Sequence, residues 1–203
     1  MQLDPRTLAS TAVYKLLISS VVPRPIAWVS SVDAAGVANL APFSYFMAIT
    51  DEPPTIAFSC SPRAGQRKDT LSNVEAIGEF VVNVVDDDRA QQMNLSSGDY
   101  PPETDEFALT QLTPAPSVVV KPPRVAEAPI NMECRVARIL PVGKANLILG
   151  EIVQWHVRDD VYDAATGRLD MYRLRPVGRL TGNLYSHIHD IFEMKRPSEN
   201  YRG

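Results

Sequence analysis

The densest chemistry in the chain lies in Ser59-Cys60-Ser61-Pro62-Arg63-Ala64-Gly65-Gln66-Arg67-Lys68-Asp69-Thr70. Arg63, Arg67, Lys68 and the Ser61 and Thr70 hydroxyls crowd a segment that runs from a strand end into helix-start signals. The free N–H groups and positive dipole end of a helix, with cations beside them, suit a dianionic monophosphate. Ser61, Arg67, Lys68 and Thr70 are therefore candidate phosphate ligands. The competing reading is a solvated basic loop before an ordinary helix cap. Cys60 between two serines has no histidine at a spacing that would activate it, so it reads as a buried strand-end thiol.

A second candidate is Asn39-Leu40-Ala41-Pro42-Phe43-Ser44-Tyr45-Phe46. A proline inside a strand-like run forces an edge or a bulge and leaves neighbouring backbone N–H and C=O groups without ladder partners. Such backbone matches a planar ligand with alternating donors and acceptors, as at the pyrimidine end of a flavin, and Phe43, Tyr45 or Trp28 offer ring surface to cover it. The plainer alternative is a β-bulge with its aromatics in the core. A third candidate is the pair His187 and His189. Its H-x-H spacing places both on one strand face, but with only His156 and two cysteines elsewhere a structural zinc site lacks soft ligands, and no metal is expected. A proton-donating histidine beside a redox ring and a pair of surface histidines both remain open.

Other nucleotide and hydrolase patterns are missing. No two of the ten glycines stand at G-x-G, Gly143-Lys144 lacks the earlier glycine of a phosphate-binding P-loop, and no G-x-S-x-G elbow occurs.

The elements that must carry these residues are mostly strands. Ile26–Val32 and the run from Val37 read as a hairpin turned at Asp33-Ala34-Ala35-Gly36. Thr55–Cys60 and Phe80–Val85 follow, separated by a helix that starts near Asp69 or Ser72 and ends at Gly78. Residues 86–129 are polar and punctuated by proline, with a short helix near Arg89–Leu95. Asn131–Leu140 and Ala145–Val157 form a second hairpin, on which Cys134 with Val136 and Leu147 with Leu149 read as half-buried same-face pairs. An apolar-periodic segment within residues 2–20 fits a short leading helix, Pro176–Leu180 is extended, and Lys195–Gly203 reads as a frayed tail. At least six strands without strand-helix alternation point to an antiparallel barrel.

Composition agrees with one packed domain over residues 1–203. The chain is 45% hydrophobic and 22% charged, ordinary for a globular protein. The net charge of -4 without a basic run argues against nucleic acid. No run of about 18 apolar residues occurs, so no membrane span is expected, and no secretory signal pattern is visible. Two cysteines are too few for a disulfide scaffold, and a cytoplasmic setting is expected.

Several strings together carry a resemblance: Val22-Pro23-Arg24-Pro25-Ile26-Ala27-Trp28-Val29-Ser30-Ser31, Gly36, the Asn39–Phe46 segment, Pro53-Pro54, Lys68-Asp69-Thr70, Asp105-Glu106-Phe107, Glu133-Cys134, Gly150-Glu151 and Pro176-Val177-Gly178-Arg179-Leu180. In this order and spacing, over residues 14–186, the chain resembles the flavin-reductase-like proteins of the FMN-binding split-barrel group. The resemblance implies a mainly β fold, a six-stranded antiparallel split barrel, and a homodimer with one FMN per subunit near the interface. It also implies that Ser30, Ser31, Asn39, Leu40, Ala41, Pro42, Phe43 and Ser44 contact the flavin, while Ser61, Arg67, Lys68 and Thr70 hold its phosphate. Gly182, Tyr185 and His187 resemble a glycine, aromatic, histidine sequence near the flavin's open face, although Asn183 replaces a glycine and Ser186 intervenes. His187 is thus the candidate catalytic group and Tyr185 a candidate flavin contact.

The activity implied is an NADH- or NADPH-dependent flavin oxidoreductase, passing electrons to free flavin, oxygen or a protein acceptor. An FMN-holding electron carrier of the flavoredoxin kind and a flavin-free interaction module stand as alternatives.

Overall fold

A computed structural model describes residues 1–62, 65–101 and 103–194. Arg63 of the candidate phosphate loop and the tail expected to fray lie outside the described residues.

Ala27–Val32 (β1) and Ala38–Phe43 (β2) form the first hairpin, in register from Ala27 opposite Phe43 to Val32 opposite Ala38. The Asp33 carboxylate accepts the N–H groups of Ala35 and Val37, and Gly36 supplies the positive φ of 86° that the turn needs. Phe46–Asp51 (β3) and Pro54–Cys60 (β4) make the next hairpin, and Glu79–Val84 (β5) follows. Ile130–Val142 (β6) and Ala145–Val157 (β7) are the long pair. These strands build one antiparallel sheet in the order β2-β1-β5-β6-β7-β4-β3.

The order has a geometric consequence. β2 and β3 are the two edges of the sheet, yet only Ser44 and Tyr45 separate them in the chain. The three steps from Phe43 to Phe46 span at most about 10–11 Å, so the sheet must curl until its edges face each other, which is a split barrel. The Ser59 N–H donates to the Tyr45 carbonyl at 2.9 Å, which carries the β3–β4 ladder one residue past Phe46 into the crossing.

Among the described residues the sheet has seven strands where the resemblance implies six. The additional strand is β3, whose Met47 and Ile49 are about half exposed. Phe-Met-Ala-Ile has no polar alternation, so the period that reveals a half-buried strand is missing there. Pro42 stands in edge strand β2 opposite Trp28, where its lack of an N–H costs no ladder bond.

The barrel interior is filled by Phe43, Phe58 and Phe80, with centroids 5.0 and 5.3 Å apart in sequence, together with Val29, Val82, Cys134, Ile148 and Ile152. On β7 the inward face is Ile148, Gly150 and Ile152, and the expected Leu147 and Leu149 stay half-buried on the outside. Gly150 is required there, since a Cβ at that position would lie 2.3 Å from the Phe80 ring. A second cluster joins Trp28, Leu40, Met93, Phe107, Val125 and Val177, so the proline-rich excursion packs on the outer face of β1 and β2.

The helices are Ser10–Ser20 (α1), Asp69–Ile77 (α2), Ala90–Leu95 (α3), Glu106–Thr110 (α4) and Met171–Leu174 (α5). Gly78, with φ of 73°, terminates α2 as its position in the sequence implies. Val177–Arg179 (β8) pairs with Tyr185–His187 (β9). Among the described residues no helix is long and apolar enough to cross a membrane.

Candidate functional site

The seam of the barrel opens into a cleft of about 1350 Å³. One wall is the edge of β2 with the Ser44–Tyr45 crossing, and another is formed by Ser61 and Pro62 with Gln66, Arg67 and the start of α2. The remaining walls are α1, the 94–100 loop, and β8 with β9. The two sequence segments singled out for chemistry therefore face a common space: Asn39, Ala41, Pro42, Phe43, Ser44, Ser61, Arg67, Lys68 and Thr70 all line it, as does Tyr185.

A hydrogen-bond network ties the two segments together. Thr70 Oγ1 donates to Asn39 Oδ1 at 2.8 Å, and Asn73 Nδ2 donates to Ser31 Oγ at 3.1 Å. Asn39 Nδ2 and the Leu40 N–H both donate to the Glu106 carboxylate, at 3.2 and 3.1 Å. Leu40 thus directs its N–H away from β1. In an antiparallel strand N–H and C=O of one residue share a side and successive residues alternate, so the Leu40 and Pro42 carbonyls also turn outward along this edge.

The cationic end is set by α2. Lys68 is its extended N-cap, and no side chain caps the helix there. The Lys68 ammonium stands 5.3 Å from the centre of the Phe43 ring. Arg67 donates to Ser72 Oγ at 3.1 Å and is paired with Glu75, so it lies along its own helix and is half exposed. Burial pushes the Cys60 thiol up to about 11, against the lowering pull of Lys68 and Arg67, which removes it as a nucleophile.

Four expected contacts are placed differently. Trp28 is fully buried, with its Nε1 donating to Ser96 Oγ at 2.9 Å, so it cannot cover a ligand ring. Ser30 is fully buried and donates to the Pro123 carbonyl. Ser31 and the Leu40 side chain are also fully buried, and act from behind the cleft. The reason is shared: the expectation followed chain order, whereas alternation on β1 and β2 sends these side chains into the two cores.

His187 is likewise not among the cleft-lining residues. It is 62% exposed and its Nδ1 lies 2.7 Å from Asp87 Oδ1. Its placement gives no support to the catalytic role expected of it. Tyr185, on the same strand, does reach the cleft, with its hydroxyl donating to Asn94 Oδ1 at 3.2 Å and the Arg179 guanidinium 4.3 Å over its ring.

Glu106, Arg24, Arg179 and Lys144 line the cleft without having been singled out for chemistry. Burial raises the Glu106 carboxyl above its ordinary value, partly offset by the Leu40 N–H and the Asn39 amide. Its signal in the sequence is only the helix-start pair Asp105-Glu106, in which Asp105 caps the N–H groups of Phe107 and Ala108. Arg24 is 5% exposed and donates to the carbonyls of Ile18, Val21 and Leu180.

Comparison with known proteins places this geometry in a family. The chain is 42% identical to a protein of Halalkalibacterium halodurans, over 98% of this chain and 97% of that one. Its structure is similar to nitrilotriacetate monooxygenase component B from Bacillus cereus, with 38% identity and a TM-score of 0.92, covering 96% of this chain and 98% of that one. It is also similar to 2-nitrobenzoate 2-nitroreductase NbaA from Pseudomonas fluorescens, with 30% identity and a TM-score of 0.90 over 98% of both chains. The flavin reductase like domain matches residues 19–175. With its curled antiparallel sheet, its seam cleft and this match over most of its length, the chain belongs to the flavin reductase like family.

Proposed function

We propose that the protein binds FMN in the seam cleft and works as an NAD(P)H-dependent flavin oxidoreductase. One observation carries the reading: the β2 edge, with the outward carbonyl of Pro42, and an uncapped, lysine-bearing helix start line the same cleft, joined by the Asn39 and Thr70 bridge. The first suits the donor of an isoalloxazine pyrimidine ring, and the second suits a terminal phosphate. The residues present fit that cofactor, which when bound would supply hydride acceptance and electron release.

The chain's own part is to place and shield. Ala41, Pro42 and Ser44 would bound the ring edge, with Phe43 and Lys68 at its side. Ser61, Arg67, Lys68 and Thr70 would hold the phosphate, Arg67 after leaving Glu75. Arg179 and Tyr185 bound the open side, where a nicotinamide would lie folded against the ring, since no separate dinucleotide motif exists. The similarity to an oxygenase component and a nitroreductase supports redox work. Exposed Met47 and Ile49 on β3, with Leu16, Leu17 and Val21 on and after α1, are the apolar surface a homodimer would cover. The proposed setting is cytoplasmic, and the electron acceptor is a small molecule or a partner protein.

The test is direct. Holo protein mixed with NADH, then NADPH, under nitrogen should lose its yellow absorbance. Bleaching only after a reduced protein donor is added would make it an electron carrier instead, and protein that neither copurifies with FMN nor quenches its fluorescence would sink the proposal. Arg67→Ala with Lys68→Ala should weaken FMN binding by about 2–4 kcal/mol, the scale of two charge-assisted bonds; unchanged affinity would displace the phosphate site.

A further inference from the structure

We propose that Asp87, His187 and His189 form a binding site for a transition-metal dication at the outer end of the β8 and β9 pair. Sequence alone sets the two histidines beside Asp190 and far from Asp87. The fold brings Asp87 from a hundred residues away: its N–H donates to the carbonyl of Arg175, the C-cap of α5, at 3.1 Å, and Asp86 bridges Pro176 just before β8.

The geometry is that of a three-ligand face. Asp87 Oδ1 lies 2.7 Å from His187 Nδ1 and Asp87 Oδ2 lies 3.4 Å from His189 Nε2. One ligand atom from each residue lies within 4.8 Å of the others. Around an ion with bonds of about 2.0–2.2 Å, ligand atoms stand roughly 3–4 Å apart, so small rotamer changes close the site. Both imidazoles are 62% exposed and free to make them, while Asp87, at 12%, is the fixed point. The two rings stack at 5.2 Å with 16° between their planes, so both already face the same carboxylate.

Charge favours the same reading. The flanking carboxylates are matched by arginines, Asp88 by Arg175 at 2.6 Å and Asp86 by Arg158 at 3.8 Å. Asp87 is met by the two imidazoles, which are ligands when neutral. Two histidines with one carboxylate select Zn²⁺, Co²⁺, Ni²⁺ or Cu²⁺ over Mg²⁺ and Ca²⁺, with water completing the shell. Binding would displace any proton shared between Asp87 and the rings. It would also fasten β9, and with it Tyr185 on the cleft wall, to the body of the domain. Both histidines lie beyond residues 19–175, the span of the family match, whereas Asp87 lies within it.

The experiment is a titration of untagged holo protein with ZnCl₂ by calorimetry and with CoCl₂ by visible absorption, repeated on Asp87→Asn, His189→Ala and His156→Ala. The expected result is one ion per chain, a Co²⁺ ligand-field band, proton release that varies with buffer, and loss of all three in Asp87→Asn and His189→Ala but not in His156→Ala. Circular dichroism and flavin content check that the exposed His189→Ala variant is folded. No saturable heat with the parent protein overturns the site, as does undiminished binding in folded His189→Ala. Because the readout is metal binding, its failure would leave the flavin reading untouched.

Discussion

Replacing Glu106 by alanine tests whether the cleft is held open by a network or merely by packing. The carboxylate accepts two hydrogen bonds, from the fully buried Leu40 at 3.1 Å and from Asn39 Nδ2 at 3.2 Å. Bonds to a charged group contribute about 1.5–3 kcal/mol each, and a buried N–H left without a partner costs about 1–3 kcal/mol. Against this, the alanine removes a carboxylate that burial disfavours. The balance is a net loss of about 2 kcal/mol, or roughly 4–8 °C in Tm for a domain of this size. Glu106→Gln keeps one acceptor for two donors and should lose about half as much. Asn39 would then be free to turn from Thr70, so FMN affinity should fall together with stability. Thermal unfolding of flavin-free protein and FMN fluorescence quenching measure the two effects separately. The pH dependence has a fixed sign: a raised carboxyl binds its proton more tightly folded than unfolded, so its contribution to stability declines as pH rises from below its ordinary value of 4.5 through the folded one. Glu106→Gln should lack that decline. A Glu106→Ala protein as stable as its parent, with unchanged FMN affinity, would refute the network.

Glu133 should behave oppositely. Burial alone pushes its carboxyl up, but the Val118 N–H, His156, and the Val119 and Val120 N–H groups hold it below its ordinary value. Its stabilisation is present above about pH 4.5 and lost as pH falls through the folded value; Glu133→Gln should cost about 2–4 kcal/mol at neutral pH in urea unfolding and flatten the acid limb. Gly150→Ala should destabilise by about 1–3 kcal/mol, because its Cβ would meet the Phe80 ring at 2.3 Å, and a parent-like midpoint would count against the packing described. Neither Cys60, with its thiol at about 11, nor the more deeply buried Cys134 should react with a disulfide reagent at pH 8 until urea unfolds the chain.

What the sequence disclosed and what it hid have physical causes. Strands with two-residue alternation or a marked turn, such as β1, β2 and the β6–β7 hairpin, were visible because local chemistry defines them. β3 was hidden because Phe46 packs against the core while Met47, Ala48 and Ile49 are all exposed, so its apolar run shows no two-residue period. The basic run before α2 stands out in the sequence because its charges lie adjacent in the chain, although the helix takes Lys68 as its N-cap, without the side-chain cap that Asp69, Thr70 or Ser72 suggested. Glu106 and Asp87 do not stand out, because each acts on residues 66 or 100 positions away, and only the fold supplies that meeting. Trp28 and Ser30 misled for a related reason: they belong to the right strand, but side-chain alternation turns them to the wrong face.

The seam explains why the barrel has a site at this place. A sheet that closes between consecutive strands must stop its ladder there, so backbone acceptors and a gap occur together at Ser44–Tyr45 without any dedicated loop. Something must also keep that gap from collapsing. Arg24 does so by spanning three structural pieces, with its guanidinium donating to the end of α1 at Ile18 and Val21, to Leu180 after β8, and at 3.4 Å to Ser44 Oγ on the crossing itself. All four acceptors are neutral, and among the described residues no carboxylate pairs with it. Its positive charge, 5% exposed and at the cleft wall, is therefore met among the described residues by neutral acceptors. The guanidinium that spans these pieces adds a positive charge to a cleft that Glu106 and Asp69 also line, so an anionic group bound close to it would meet a cation already held in place.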